Sequence, residues 1–213
     1  MFCGVDEAGR GPVMGPLVVG CVFVEDDSTL MDIGVKDSKK LTPRARERMY
    51  DSITGSVPFW TTVMCSAEDI DAYRKQMSLN ELEMRMFAEA VNGNGADTVY
   101  IDCPEVNTSG FEARMRVLCP GSEIIARNKA DDLYPVVSAA SIIAKVTRDR
   151  MMDEIRKEFD VNIGSGYPSD HYTMDFIRGW IEENGRPPKH TRSSWEPVRE
   201  MLSKRANTKI TDW

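Results

Sequence analysis

Asp6 and Glu7 stand side by side ahead of Ala8-Gly9-Arg10-Gly11-Pro12 and behind a short, mostly apolar stretch, Met1 to Val5. The apolar stretch predicts a strand. The glycines and proline that follow cannot extend a regular one, so the two acids fall at its carboxyl end. Adjacent strand side chains point to opposite faces, so both carboxylates serve one centre only if the chain bends as it leaves the sheet. Glycines permit that bend and let a ligand approach the backbone. Taken alone, the pair fits a solvated turn equally well.

Asp102 repeats the arrangement at the end of the apolar stretch Thr98 to Ile101, ahead of Cys103 and Pro104. Asp131 and Asp132 lie between a strand pattern ending near Ala126 and a helical pattern from Val137, on a loop or a first helical turn. On neighbouring strands these ends would gather about four carboxylates without His or Cys, a donor set suited to hard, octahedral Mg2+ or Mn2+. Two such ions roughly 4 Å apart can activate a water and stabilise the leaving oxygen in phosphoryl transfer. The plain alternative is that 34 acidic residues guarantee some at strand ends, and an Asp before a helix is ordinarily an N-cap.

The elements that must position these acids are legible from patterning. Leu17 to Val24 is a valine-rich apolar run suited to a central strand paired antiparallel with the first. Thr42-Pro43 starts a helix to about Ile53, and Val57 to Cys65 returns as a strand. Ser78 and Glu81 form a capping box for a helix to about Val91. A helix over Phe111 to Leu118, a strand over Glu123 to Ala126 and a helix over Val137 to Phe159 follow, and the tail from His171 reads as mainly helical. A possible three-strand meander followed by alternating helices and strands describes an α/β fold, a mixed β-sheet flanked by helices. Gly164 to Pro168 breaks the pattern, so residues 1–163 are expected to form the core and 164–213 a helical carboxyl-terminal subdomain, interrupted at Pro187-Pro188.

Composition bounds the function. At 213 residues and net charge -7 the chain carries no generic basic coat, which leaves local Lys and Arg clusters for any polyanion. Five cysteines without a CxxC pair and only two histidines argue against a zinc cluster and are read as reduced, buried thiols of a cytoplasmic protein. No apolar run approaches the roughly 20 residues that span a bilayer, and Met1 opens into the first strand without a basic leader, so a soluble, unprocessed protein is expected. A GxxxxGK[ST] phosphate loop is absent.

Five motifs in order carry a resemblance: Asp6-Glu7-Ala8-Gly9-Arg10-Gly11-Pro12, Asp37-Ser38-Lys39-Lys40-Leu41, the Asp102 strand end, Lys129-Ala130-Asp131 with Tyr134 to Ser141, and Gly164-Ser165-Gly166-Tyr167-Pro168-Ser169-Asp170. Together they resemble type 2 ribonuclease H (RNase HII), especially its archaeal branch. The resemblance implies a ribonuclease H-like core and hydrolysis of RNA in RNA/DNA hybrids or of ribonucleotides embedded in DNA. It also implies catalytic, metal-binding carboxylates at Asp6, Glu7, Asp102 and Asp131, with Asp132 an adjacent acid outside the usual four. Water would attack the phosphorus 5' to a ribonucleotide, leaving 3'-hydroxyl and 5'-phosphate ends, with one ion at the nucleophile and one at the leaving group.

Telling RNA from DNA requires contact with the 2'-hydroxyl, a role the resemblance gives to Gly9, Arg10 and Gly11. Tyr167, in its glycine-flanked loop, is expected to stack on a nucleotide at the RNA-to-DNA junction. Lys39 and Lys40 are candidate phosphate anchors. Ser138, Ser141 and Lys145 share one helix face near the acids, the serines as packing or capping residues and Lys145 as a phosphate contact. His171 is expected to be peripheral. The tail Asn207 to Trp213, with Ile210 and Trp213, faintly resembles sliding-clamp-binding peptides but lacks their glutamine and second aromatic. The expected protein is a monomer; the competing readings are another nuclease of this fold, such as a junction resolvase, and a catalytically silent hybrid-binding module.

Overall fold

The structure, a computed structural model, describes residues 1–35 and 41–208. Five strands, β1 (Phe2–Ala8), β2 (Leu17–Val24), β3 (Phe59–Cys65), β4 (Thr98–Asp102) and β5 (Glu123–Arg127), form one sheet in the order β3-β2-β1-β4-β5. The helices are α1 (Ser28–Asp32), α2 (Pro43–Ser56), α3 (Ala67–Tyr73), α4 (Leu79–Val91), α5 (Thr108–Leu118), α6 (Ala130–Leu133), α7 (Pro135–Phe159), α8 (His171–Asn184) and α9 (Glu196–Thr208). β1 runs antiparallel to β2 and parallel to β4, which runs parallel to β5, so the sheet is mixed as expected.

The expected N-terminal signals act as such. The Thr42 hydroxyl accepts from Ala45 N–H at 3.3 Å at the start of α2, and Ser78 and Glu81 complete their capping box on α4. Helices α1, α3 and α6 have seven residues or fewer, too short for an apolar period to mark them in the sequence.

The first strand is longer than its apolar stretch. β1 pairs with β2 through Ala8, with Asp6 opposite Gly20, but its ladder with β4 ends at Val5. The valine-rich β2 therefore holds two charged residues in extended conformation where Met1 to Val5 alone suggested a strand end.

The chain forms two compact units. The first comprises Met1–Ala8, Val18–Met64 and Ser78–Thr147; the second comprises Gly9–Leu17, Cys65–Met77 and Arg148–Trp213. Residues 164–213 lie wholly in the second, with 148–163 and the two earlier segments.

In the first unit α7 lies directly on β1 and β2. A methyl group on Gly4 would overlap the Val136 carbonyl, and one on Gly20 would overlap the Ala140 carbonyl and come 2.8 Å from Ala144 N. Val136, Val137, Ala139, Ala140 and Ile143 are buried on this surface together with Val22 and Val24. Small residues on both sides let backbone meet backbone, and a side chain inserted there must push the helix away. We expect Gly20→Ala to destabilise the protein by about 1–3 kcal/mol in urea unfolding. Gly55→Ala in α2, where an added methyl meets nothing within 4 Å, should stabilise it by up to about 1 kcal/mol. Equal effects at the two positions would contradict this packing.

Candidate active site

Two parallel strands and one short helix build the acidic centre. Phe2 pairs with Thr98 and Val5 with Ile101, so continuing the register sets Asp6 beside Asp102. Both belong to the face on which Phe2, Tyr100 and Tyr134 stack, with ring centroids 5.7 Å and 4.6 Å apart. Asp131 reaches the same centre from α6. Lys129 takes a left-handed conformation (φ 57°) and turns the chain into that helix, whose first N–H, on Ala130, donates to Asp102 Oδ1 at 3.0 Å. Asp6, Asp102 and Asp131 each offer an oxygen within 4.8 Å of the others. Asp132, on the same turn, is exposed.

Glu7 is not one of the three. It follows Asp6 within the paired strand, opposite Val19 of β2. It is half-buried, and its charge still acts on Asp6 and on the Cys103 thiol.

Burial pushes the Asp6 carboxyl well above the ordinary carboxylate range, and the charges of Glu7 and Asp102 push it further. The Ser141 hydroxyl and the Glu7 N–H, the latter at 2.7 Å, oppose the shift by donating to its oxygens. Crowded, part-desolvated carboxylates of this kind repel one another until a cation neutralises them, so the donor set fits a hard divalent ion. Ser141, expected as a packing or capping residue near the acids, is a direct hydrogen-bond partner of Asp6. Ser138 is buried and donates to the Val35 carbonyl at 2.7 Å, and Lys145, one turn beyond Ser141, is exposed. Lys39 and Lys40, and the tail with Ile210 and Trp213, lie outside the described residues.

The second unit holds the remaining candidates. Gly9 has φ 91°, and a methyl there would come 2.5 Å from the Pro16 carbonyl and 2.6 Å from Arg148 Nε, so glycine is required twice over. The Gly166 carbonyl accepts from the N–H groups of Val13 (2.8 Å) and Met14 (3.2 Å), joining the loop after β1 to the loop that carries Tyr167. Asp170 accepts from Ser165 N–H at 2.7 Å and from Tyr172 N–H at 3.0 Å, and Thr173 accepts from Gly166 N–H. The Ser-Asp end of the motif thus shapes the loop while capping α8. Tyr167 remains 40% exposed beside Gly11, with the Arg148 guanidinium 5.4 Å from its ring centroid. His171 lies at the start of α8 and stacks on exposed Tyr172.

Arg148 and Arg192 were missed in the sequence because nothing local marks a basic residue as buried. The fully buried Arg192 donates to the carbonyls of Gly9 at 2.6 Å, Gly15 at 3.0 Å and Arg10 at 3.1 Å. Burial first, and then the charge of Arg148, pull it down to about 9. It stays charged at neutral pH, held by three carbonyls.

A mixed sheet with carboxylates converging at the ends of its central parallel strands has the donor set of an acid-centred, metal-assisted hydrolase. The sequence matches the ribonuclease HII family over residues 3–198. Ribonuclease HII of Methanospirillum hungatei is 42% identical over 214 residues, covering 100% of both chains. The crystal structure of ribonuclease H2 from Pyrococcus horikoshii aligns with TM-score 0.89 and 37% identity, over 95% of this chain and 97% of the other. The RNase HII in the PCNA complex from Archaeoglobus fulgidus aligns with TM-score 0.88 and 36% identity, over 94% and 96%. The chain belongs to the ribonuclease HII family and is a metal-dependent endoribonuclease.

The raised Asp6 has a sign to test. A carboxyl whose folded pKa exceeds its unfolded value contributes stability fully below the unfolded value and loses it as pH rises through the folded one. In chelator, Asp6→Asn should therefore melt above the wild type at neutral pH while losing cleavage. Wild-type Mn2+ affinity, followed by thermal shift, should rise with pH across the same range because binding displaces the proton. An Asn variant that melts lower than wild type would contradict the electrostatic account.

Proposed function

We propose that the protein hydrolyses the RNA strand of RNA/DNA hybrids and cuts 5' to single ribonucleotides embedded in duplex DNA, leaving 3'-hydroxyl and 5'-phosphate ends. The observation that carries this is the convergence of Asp6, Asp102 and Asp131 on one centre in a chain of this family. Asp6, Asp102 and Asp131, with Glu7 next to Asp6 in the strand, would hold Mg2+ or Mn2+, two ions when substrate is bound. Those ions supply activation of the attacking water and neutralisation of the leaving oxygen. The protein's own work is to aim the ligands. Ser141 and the Glu7 N–H orient Asp6, and the Ala130 N–H orients Asp102.

Gly9, Arg10 and Gly11 read the 2'-hydroxyl, Tyr167 stacks at the junction, and Lys39, Lys40 and Lys145 contact phosphates. Because the Archaeoglobus relative forms a complex with PCNA, a sliding clamp is the partner we propose.

The reading is tested on an end-labelled DNA duplex with one ribonucleotide, in Mg2+, Mn2+ or chelator, beside an all-DNA duplex and an all-DNA junction. Metal-dependent cutting 5' to the ribonucleotide alone is expected. Cleavage of the all-DNA junction would make it a resolvase, and hybrid binding without turnover a silent module. Tyr167→Ala should slow cleavage at the single ribonucleotide by roughly tenfold, the cost of one lost stacking contact, while hybrid binding changes less. Equal losses would remove junction sensing from Tyr167.

A further inference from the structure

Arg192 lies at the end of a chain of supports within the second unit. Asp71, on α3, accepts from the N–H groups of Ser193 at 2.7 Å and Ser194 at 3.0 Å, and Glu68 on the same helix accepts from His190 N–H at 2.8 Å. Thr191 pairs with Met14 in an isolated bridge, and the Val13 carbonyl accepts from Arg192 N–H at 2.8 Å. Two guanidinium groups lie over the Trp195 ring, Arg192 at 4.9 Å and Arg74 at 5.5 Å from its centroid. Residues 190–195 are thus fixed by backbone and side chain before Arg192 reaches the Gly-Arg-Gly loop.

What the guanidinium does there follows from peptide geometry. All peptide bonds of the described chain are trans, and in a trans peptide the N–H points opposite to the C=O. Holding the Gly9 carbonyl turns the Arg10 N–H away from Arg192, and holding the Arg10 carbonyl does the same for the Gly11 N–H. Two successive donors are thereby aimed to the side away from the buried cation, where Gly11 is exposed and Tyr167 stands next to it. A charge-assisted donor set gripping two consecutive carbonyls fixes both peptide planes, which a loop of glycines cannot do alone.

We infer that Arg192 is the positioning residue for ribose recognition: it acts through the Gly9-Arg10-Gly11 backbone, aiming the Arg10 and Gly11 amides at the 2'-oxygen without touching substrate. This rests on the proposed reading of that loop as the ribose-contacting segment. Its specific consequence is that Arg192 governs the preference for a ribonucleotide over a deoxyribonucleotide more than affinity for duplex as such. Asp71, through Ser193 and Ser194, supports the same preference more weakly.

The test measures affinities by fluorescence anisotropy in Ca2+ for two duplexes, one with a single ribonucleotide and one all-DNA, with Arg192→Lys, Asp71→Asn and wild type. Lysine keeps the charge but cannot grip three carbonyls with a planar fork. Arg192→Lys should lose about tenfold of the ribonucleotide preference, as expected for charge-assisted hydrogen bonds replaced by poorer ones. Its affinity for all-DNA duplex should stay near wild type, and Asp71→Asn should lose several-fold in the same direction. A wild type without preference would overturn the ribose reading of the loop, and this inference with it. A preferring wild type whose preference survives in Arg192→Lys would overturn the role of Arg192 alone, as would equal loss of both affinities. Should Arg192→Lys fail to give a wild-type-like thermal transition, Asp71→Asn decides: retained preference overturns the inference and selective loss upholds it.

Discussion

The acidic centre depends on how closely one helix approaches two strands. Gly4 and Gly20 leave no side chain between the sheet and α7, and the helix answers with Val136, Val137 and two alanines. Gly20 pairs directly with Asp6, so the position that admits the helix is also the one beside the carboxylate. That approach brings Ser141 within hydrogen-bonding reach of Asp6. Close packing of this kind is stiff, since interiors transmit displacement rather than absorb it.

The same packing sustains an arrangement that electrostatics opposes. Three carboxylates within 4.8 Å of one another, one of them buried, repel in the absence of a cation. The fold holds them with backbone: the β1–β4 register, the Ala130 N–H on Asp102 and the Glu7 N–H on Asp6. A divalent ion bound there would relieve that repulsion.

The second unit solves a different problem with the opposite sign of charge. A loop rich in glycine is free to approach a sugar but has no shape of its own. Arg192 supplies the shape by gripping three carbonyls, Arg148 fills the space a Gly9 side chain would need and supports the Tyr167 ring, and Asp170 with Thr173 shapes the loop behind it. The glycine loop and the acidic centre are therefore pre-organised by separate networks, one of guanidinium on carbonyl and one of amide on carboxylate.

The sequence by itself determined the strands, the longer helices and the candidate acids. Apolar runs marked all five strands, Thr42 and Ser78 marked two helix starts, and short-range patterns put Asp6 and Asp102 at strand ends and the pair Asp131 and Asp132 near a helix start, with the family resemblance singling out Asp131. Tertiary structure alone decided which oxygens meet. It separated Asp131 from exposed Asp132, carried β1 past its apolar stretch so that Glu7 lies within a paired strand, and revealed Ser141, Arg148 and Arg192 as partners. The physical reason is range: periodicity and capping act over a few residues. The hydrogen bonds of Arg192 to Gly9, Arg10 and Gly15 span up to 183 positions and exist only once the chain has folded.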